Sequence, residues 1–210
     1  MRSSHQILLA TLNPHKFQEF QSLMAQFPEI ELIRADRLLR NAENLGHAEQ
    51  HSTYLENAIA KARLANKAAH YPSLADDSGL EVEALEGRPG IRSHRYASPQ
   101  AQLSQDQSNL ELLLSEMKST SNRSARFVCA LALIIEGVLI HATGTLEGAL
   151  LEAPRGTHGF GYDPIFVPKD STLTLAEMTS NQKNEISHRS KAIEALMKQV
   201  KAYGINFVKP

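Results

Sequence analysis

RFVCALALIIEGVLIHATGTLEG, residues 126–148, is the stretch on which the fold turns. From Arg126 to Ile135 the run is apolar and rich in β-formers, Glu136-Gly137 is a turn pair, and a second β-rich run follows. It reads as a hairpin or a long bent strand pair. On its N-terminal side, Ile7–Thr11 and IELIRA (30–35) read as further strands. Between and beyond them the spacing becomes helical. Phe17, Phe20, Leu23, Met24 and Phe27 predict one helix, and Tyr54, Leu55, Ala58, Ile59, Ala62 and Ala65 a second. Leu110, Leu113, Leu114 and Met117 predict a third, and Ile193, Leu196, Met197 and Val200 a last one. Strands alternating with helices at both ends, around a central β region, predict an α/β fold with a long mixed sheet flanked by helices. The loop-rich stretch Gly79–Gln107, with Gly87, Pro89 and Gly90, is placed to join two lobes of a single domain spanning residues 1–210.

The 210 residues suffice for a real core, and the formal net charge of −1 argues against a nucleic-acid footprint or a polybasic membrane anchor. Recognition of a polyanion must then come from a few placed cations. The single cysteine, Cys129, lies in an apolar run and reads as a core residue, in keeping with a reducing compartment. The N-terminal apolar segment is too short and poorly flanked for a signal peptide, and no run approaches the ~20 apolar residues of a membrane span. The expectation is a soluble cytoplasmic protein.

ADDSGL (75–80) sets Asp76 and Asp77 side by side at what reads as the end of a short strand. Adjacent carboxylates repel and are costly to bury without partners. Taken alone, the segment reads as an Asp-Asp-Ser capping turn, so the cations elsewhere decide. LNPHK (12–16) has a good N-cap in Asn13, a proline at the first helical position and then Lys16 in the first turn, where the helix dipole disfavours it. Ser187 is a plausible N-cap followed at once by His188 and Arg189. A helix start with free N–H groups and an adjacent cation is a good anion site, and this chain has two such starts. Lys61, on the second helix, is either a third phosphate cation or a solvated surface lysine. In GFGYDPIF (159–166), glycines permit close backbone approach, Phe160 and Tyr162 offer a flat apolar surface for a ring, and Asp163 an acceptor at its edge. A tight turn with core aromatics is the other reading of that loop.

Five segments in order, ATLNPHK (10–16), TYLENAIAKA (53–62), ADDSGLEVEALEGRPGIRSHRYA (75–97), GFGYDPIF (159–166) and KNEISHR (183–189), make the chain resemble the inosine triphosphate pyrophosphatase family. The resemblance implies hydrolysis of the α–β phosphoanhydride of non-standard purine nucleoside triphosphates, giving monophosphate and pyrophosphate, with Mg²⁺ required. It also implies a two-lobed α/β fold and a homodimer. By position, Thr11, Asn13 and Lys16 match the phosphate-contacting motif, Glu49 the metal-binding glutamate and Asp77 the catalytic aspartate. Phe160, Gly161, Tyr162, Asp163, Lys183, His188 and Arg189 match the nucleotide pocket. Leu12, the Glu49-Gln50-His51 segment and His94 depart from the usual pattern.

With that resemblance the carboxylates have a use, because Mg²⁺ is commonly held by one or two carboxylates together with substrate phosphates. Glu49, Asp76 and Asp77 are the candidate ligands. Asp77 would orient or deprotonate the attacking water, and Ser78 and Gly79 would offer nearby N–H donors. Donors from Lys183, His188 or Arg189 would accept the O6 of hypoxanthine or xanthine and leave adenine unpaired. Two other readings stand beside this one: a nucleotide-binding sensor without catalysis, and a pyrophosphatase of modified pyrimidine triphosphates.

Overall fold

In a computed structural model, which describes residues 5–99, 101–205 and 207, Glu136 (φ 51°) and Gly137 (φ 78°) both adopt positive φ. That is what a two-residue type I′ hairpin turn requires. They connect neighbouring strands, so the hairpin reading of residues 126–148 holds. Gln100 and the ends of the expected 1–210 domain lie outside the described residues.

In chain order the elements are β1 (His5–Leu9), α1 (Pro14–Met24), β2 (Ile30–Arg34), α2 (Ala35–Leu38), α3 (Asn44–His47), α4 (Tyr54–Ala69) and β3 (Ser73–Val82). A 3₁₀ turn at Gly90–Arg95 leads to α5 (Gln105–Glu116), β4 (Ser124–Ile135), β5 (Val138–Leu150), β6 (Phe166–Pro168), α6 (Ser180–Ile186) and α7 (His188–Ala202). The strands form a mixed sheet of order β2-β1-β3-β4-β5-β6. β1 is parallel to β2 and to β3, with Leu8 opposite Ser73 and Leu9 opposite Leu74, whereas β6 is antiparallel to β5. The α/β class expected from the alternating pattern is the one observed.

Two compact units divide the chain: residues 1–77, 129–144 and 189–210 form the first, and residues 78–128 and 145–188 the second. The divisions fall inside β3, β4 and β5, so the loop-rich stretch 79–107 is not the joint. It lies wholly in the second unit, and its first residues continue β3 to Val82.

Within the first unit, period-2 alternation sorts the strand side chains onto two faces. Ile7, Leu9, Leu74, Leu131 and Leu133 pack with Phe20 and Leu23 of α1 and with Ile193 and Leu196 of α7. Leu8, Ala10, Ala75 and Ala132 pack with Ala58, Ala62 and Ala65 of α4. Small residues along α4 let it lie close to its face of the sheet. Within the second unit, Leu80, Val82, Leu113, Phe127, Leu146, Tyr162, Ile165 and Phe166 form a separate core.

Candidate active site

β3 carries the aspartates. Leu74 faces α1 and α7, and Ala75 faces α4, so the same alternation turns Asp76 toward α1 and α7 and Asp77 toward α4. Neighbours in sequence thus point to opposite faces, which separates their carboxylates. The sequence places them at a strand end, but β3 runs on for five residues beyond Asp77 to Val82. The strand tolerates two charges because each face supplies partners.

Asp76, 1% exposed, accepts a hydrogen bond from Lys16 Nζ at 2.7 Å. Burial alone would raise its pKa, but Lys16, Lys61 and Arg189 outweigh burial and hold it well below the usual carboxylate range. Asp77, 5% exposed, accepts from Asn57 Nδ2 of α4 at 2.9 Å. Here burial wins over Lys61, Lys16 and Asn57, with Glu49 adding to it, and the pKa is raised. The two carboxylates are pushed in opposite directions, the pattern of a supporting ion beside a working base.

Lys61 is buried, not a solvated surface lysine. Its ammonium donates to Glu49 Oε1 at 2.6 Å and to the Asp76 carbonyl. Burial works against its charge, yet Asp76, Glu49 and Asp77 outweigh it and the pKa is raised. Arg189, in the first turn of α7, reaches Glu19 in the second turn of α1 at 2.7 Å and ties the two helices together. Ser187 takes the extended geometry of a cap (φ −64°, ψ 154°) immediately before α7.

The start of α1 corrects one expectation. Pro14 has no N–H, Asn13 Oδ1 accepts from the amides of His15 and Lys16, and the Phe17 amide bonds to Asn13 O. Thr11 Oγ1 in turn accepts from the Asn13 amide. Few N–H groups remain there to receive an anion, because the cap that starts the helix consumes them. The cation at this helix start is Lys16, whose ammonium is paired with Asp76.

Residues of the second unit form a different arrangement. Asp163, 3% exposed, accepts from Lys183 Nζ at 2.8 Å and from the Phe160 amide at 3.0 Å. The Lys183 ammonium lies 5.1 Å from the centroid of the Phe160 ring. His188 is buried and stacks on Phe127 with centroids 4.8 Å apart. A Cβ on Gly159 (φ 75°) would fall 2.1 Å from Asp163 Oδ2, so both the space and the backbone there require glycine. Gly161 (φ 61°) turns the chain between the two aromatics. Phe160 stays half-buried, while Tyr162 enters the core with its hydroxyl donating to Ser93 O at 2.9 Å. A flat surface for a ring is therefore offered by Phe160 and not by Tyr162. Ser78, half-buried, follows Asp77 in β3.

Of the expected residues, the first unit contains Thr11, Asn13, Lys16, Glu49, Lys61, Asp76, Asp77 and Arg189, and the second contains Ser78, Phe160, Gly161, Tyr162, Asp163, Lys183 and His188. Glu49 lies on Lys61, and among the described residues no three His, Cys, Asp or Glu side chains are grouped as a ready metal centre. Asn57 and Glu19 were missed. Asn57 lies four residues before Lys61 and Glu19 three after Lys16, spacings that put each on the face of a residue already singled out.

Carboxylates and cations that meet on both faces of β3 define an α/β protein equipped to handle a polyanion. The chain belongs to the Ham1 family, whose model matches residues 7–199. It is 43% identical over 199 residues to the dITP/XTP pyrophosphatase of Bacillus subtilis (strain 168), covering 93% of this chain and 96% of the relative. Identity to the dITP/XTP pyrophosphatase of Legionella pneumophila (strain Paris) is 44% over 196 residues, covering 91% and 96%. The solved structure of a HAM1 protein from Coxiella burnetii matches with a TM-score of 0.79 at 36% identity, over 94% of this chain and 99% of that one. The resemblance read from the five motif segments is borne out.

Proposed function

We propose that this chain hydrolyses non-standard purine nucleoside triphosphates (ITP, dITP and XTP) to the monophosphate and pyrophosphate, keeping them out of nucleic acid. The observation that carries the reading is the split of Asp76 and Asp77 onto opposite faces of β3, one neutralised by cations and one held by a neutral amide. Asp77, with its pKa raised by burial, is the stronger base of the two, so it accepts the proton of the attacking water. Asn57 fixes the orientation of that carboxylate: its own Oδ1 accepts from the His51 amide at 2.9 Å, which leaves Nδ2 for Asp77. Lys16 and Arg189 bind phosphate oxygens, and Lys61 keeps Glu49 and the β3 backbone in register.

The donors fit Mg²⁺, which takes oxygen ligands and is usually held by one or two carboxylates, several waters and substrate phosphates. Asp77 and Glu49 would hold it. Asp76, turned to the opposite face of β3 from Asp77, supports them. When bound, the ion would offset phosphate charge and polarise the phosphoryl group under attack. Phe160 stacks on the base, and donors from Lys183 select a 6-oxo purine, with Asp163 holding that lysine in place. Following the family resemblance, the working form is a homodimer in the cytoplasm. Among the described residues no helix is long and apolar enough to cross a membrane.

The test is pyrophosphate release from ITP, dITP and XTP beside ATP, GTP and dTTP, with Mg²⁺ and then with chelator. Mg²⁺-dependent release from the first three alone is expected. Equal release from dTTP would point to a pyrimidine enzyme, and tight ITP binding without release would leave a sensor.

A further inference from the structure

The glycine-aromatic loop is held from outside by a residue that none of the motifs includes. Asp106 lies in the first turn of α5, and its Oδ2 accepts from the Gly161 amide at 2.9 Å across 55 residues of sequence. The preceding amide, of Phe160, is taken by Asp163. Two successive loop N–H groups are thus spent on two carboxylates. A glycine-rich loop usually turns such amides toward a phosphate; here both are already occupied by side chains of the fold. This loop therefore meets the uncharged end of a nucleotide, its base.

Asp106 is not needed to start its helix. Ser104 and Gln107 already form a capping box, with Ser104 Oγ accepting from the Gln107 amide and Gln107 Oε1 from the Ser104 amide. α5 is also a fixed platform. Buried Asn109 donates to Ser93 O (3.1 Å) and His94 O (3.0 Å) and accepts from the Ala97 amide (2.8 Å) and Gln105 Nε2 (2.9 Å). Tyr162, on the other side of Gly161, is anchored on that same Ser93 carbonyl. The two glycines with positive φ would otherwise leave Phe160 free to swing.

We infer that Asp106 is a positioning residue for base recognition: by holding the Gly161 amide it fixes the ring of Phe160 against the purine. The inference rests on the hydrolase reading above and deepens it.

The experiment is steady-state hydrolysis of ITP by the full chain and by Asp106→Ala, Asp106→Asn, Phe160→Ala and the Asp106→Ala/Phe160→Ala pair. Asp106→Ala should raise KM about tenfold, as expected for loss of a charge-assisted hydrogen bond, with kcat within about twofold of the wild type. Asp106→Asn keeps an acceptor of the same shape and should bring KM back to within about threefold. Because both residues act through one ring, the pair should be no worse than Phe160→Ala alone. An unchanged KM in Asp106→Ala, a loss confined to kcat, or additive losses in the pair would each overturn the inference. If Asp106→Ala does not fold, amide exchange in the wild type decides: a Gly161 amide as protected as that of Phe160 supports it, and loop-rate exchange at Gly161 overturns it. Wild-type turnover of ITP separates these outcomes from a failure of the hydrolase reading itself.

Discussion

Removing the charge of Asp76 and removing that of Asp77 should move stability in opposite directions. A depressed carboxylate pKa stabilises the fold above the unfolded value near 4, and that contribution is lost as pH falls through the lower folded value. Asp76 is of this kind. A raised pKa does the reverse: the contribution is present below the unfolded value and is lost as pH rises through the folded one, so Asp77 costs stability once it is ionised. Thermal melts at neutral pH without Mg²⁺ should show Asp76→Asn less stable by about 3 kcal/mol, on the order of 10 °C, because Lys16 and Lys61 lose a buried partner. Asp77→Asn should melt higher than wild type. A fall in both variants would contradict the assignment. The two aspartates were legible in the sequence because adjacent charges beside an apolar run are conspicuous, and Lys16 because a cation in the first turn of a helix is. Asn57 was not, since a neutral side chain becomes informative only when packing shows that it is fully buried against Asp77.

At the scale of elements, helix starts were the most legible features. Asn13-Pro14 and Ser187 mark them by local chemistry that needs no tertiary contact. The extent of β3 was harder to read, because charge density argues for a turn unless the facing cations are known, and those come from α1, α4 and α7. The α1 cap allows a separation of stability from binding. Asn13→Ala should cost about 1 kcal/mol in melts, while Asn13→Asp keeps the cap and the melting temperature. Asp at that position also sets a negative charge beside Lys16, so KM for ITP should rise several-fold in Asn13→Asp. A wild-type KM in that variant would remove the start of α1 from phosphate binding.

Over the whole molecule, the α/β class followed from alternating helical and strand periodicity, which local burial imposes directly. The division into units did not follow from glycine and proline density. Gly87, Pro89 and Gly90 mark turns inside the second unit, whereas long strands carry the chain from one unit to the other. A strand that crosses such a division shows no change of composition there. Residues from distant segments are brought together in the first unit: Lys16, Lys61, Asp76 and Arg189 span most of the chain, yet Asp76 is governed by all three cations. In the proposed reaction this cluster acts through Asp77. Its most direct test is pyrophosphate release from ITP by wild type and by Asp77→Asn at saturating Mg²⁺ and substrate. The account predicts a folded variant that binds ITP and loses turnover by about a thousandfold, as for removal of a general base. Turnover near the wild-type rate would contradict it.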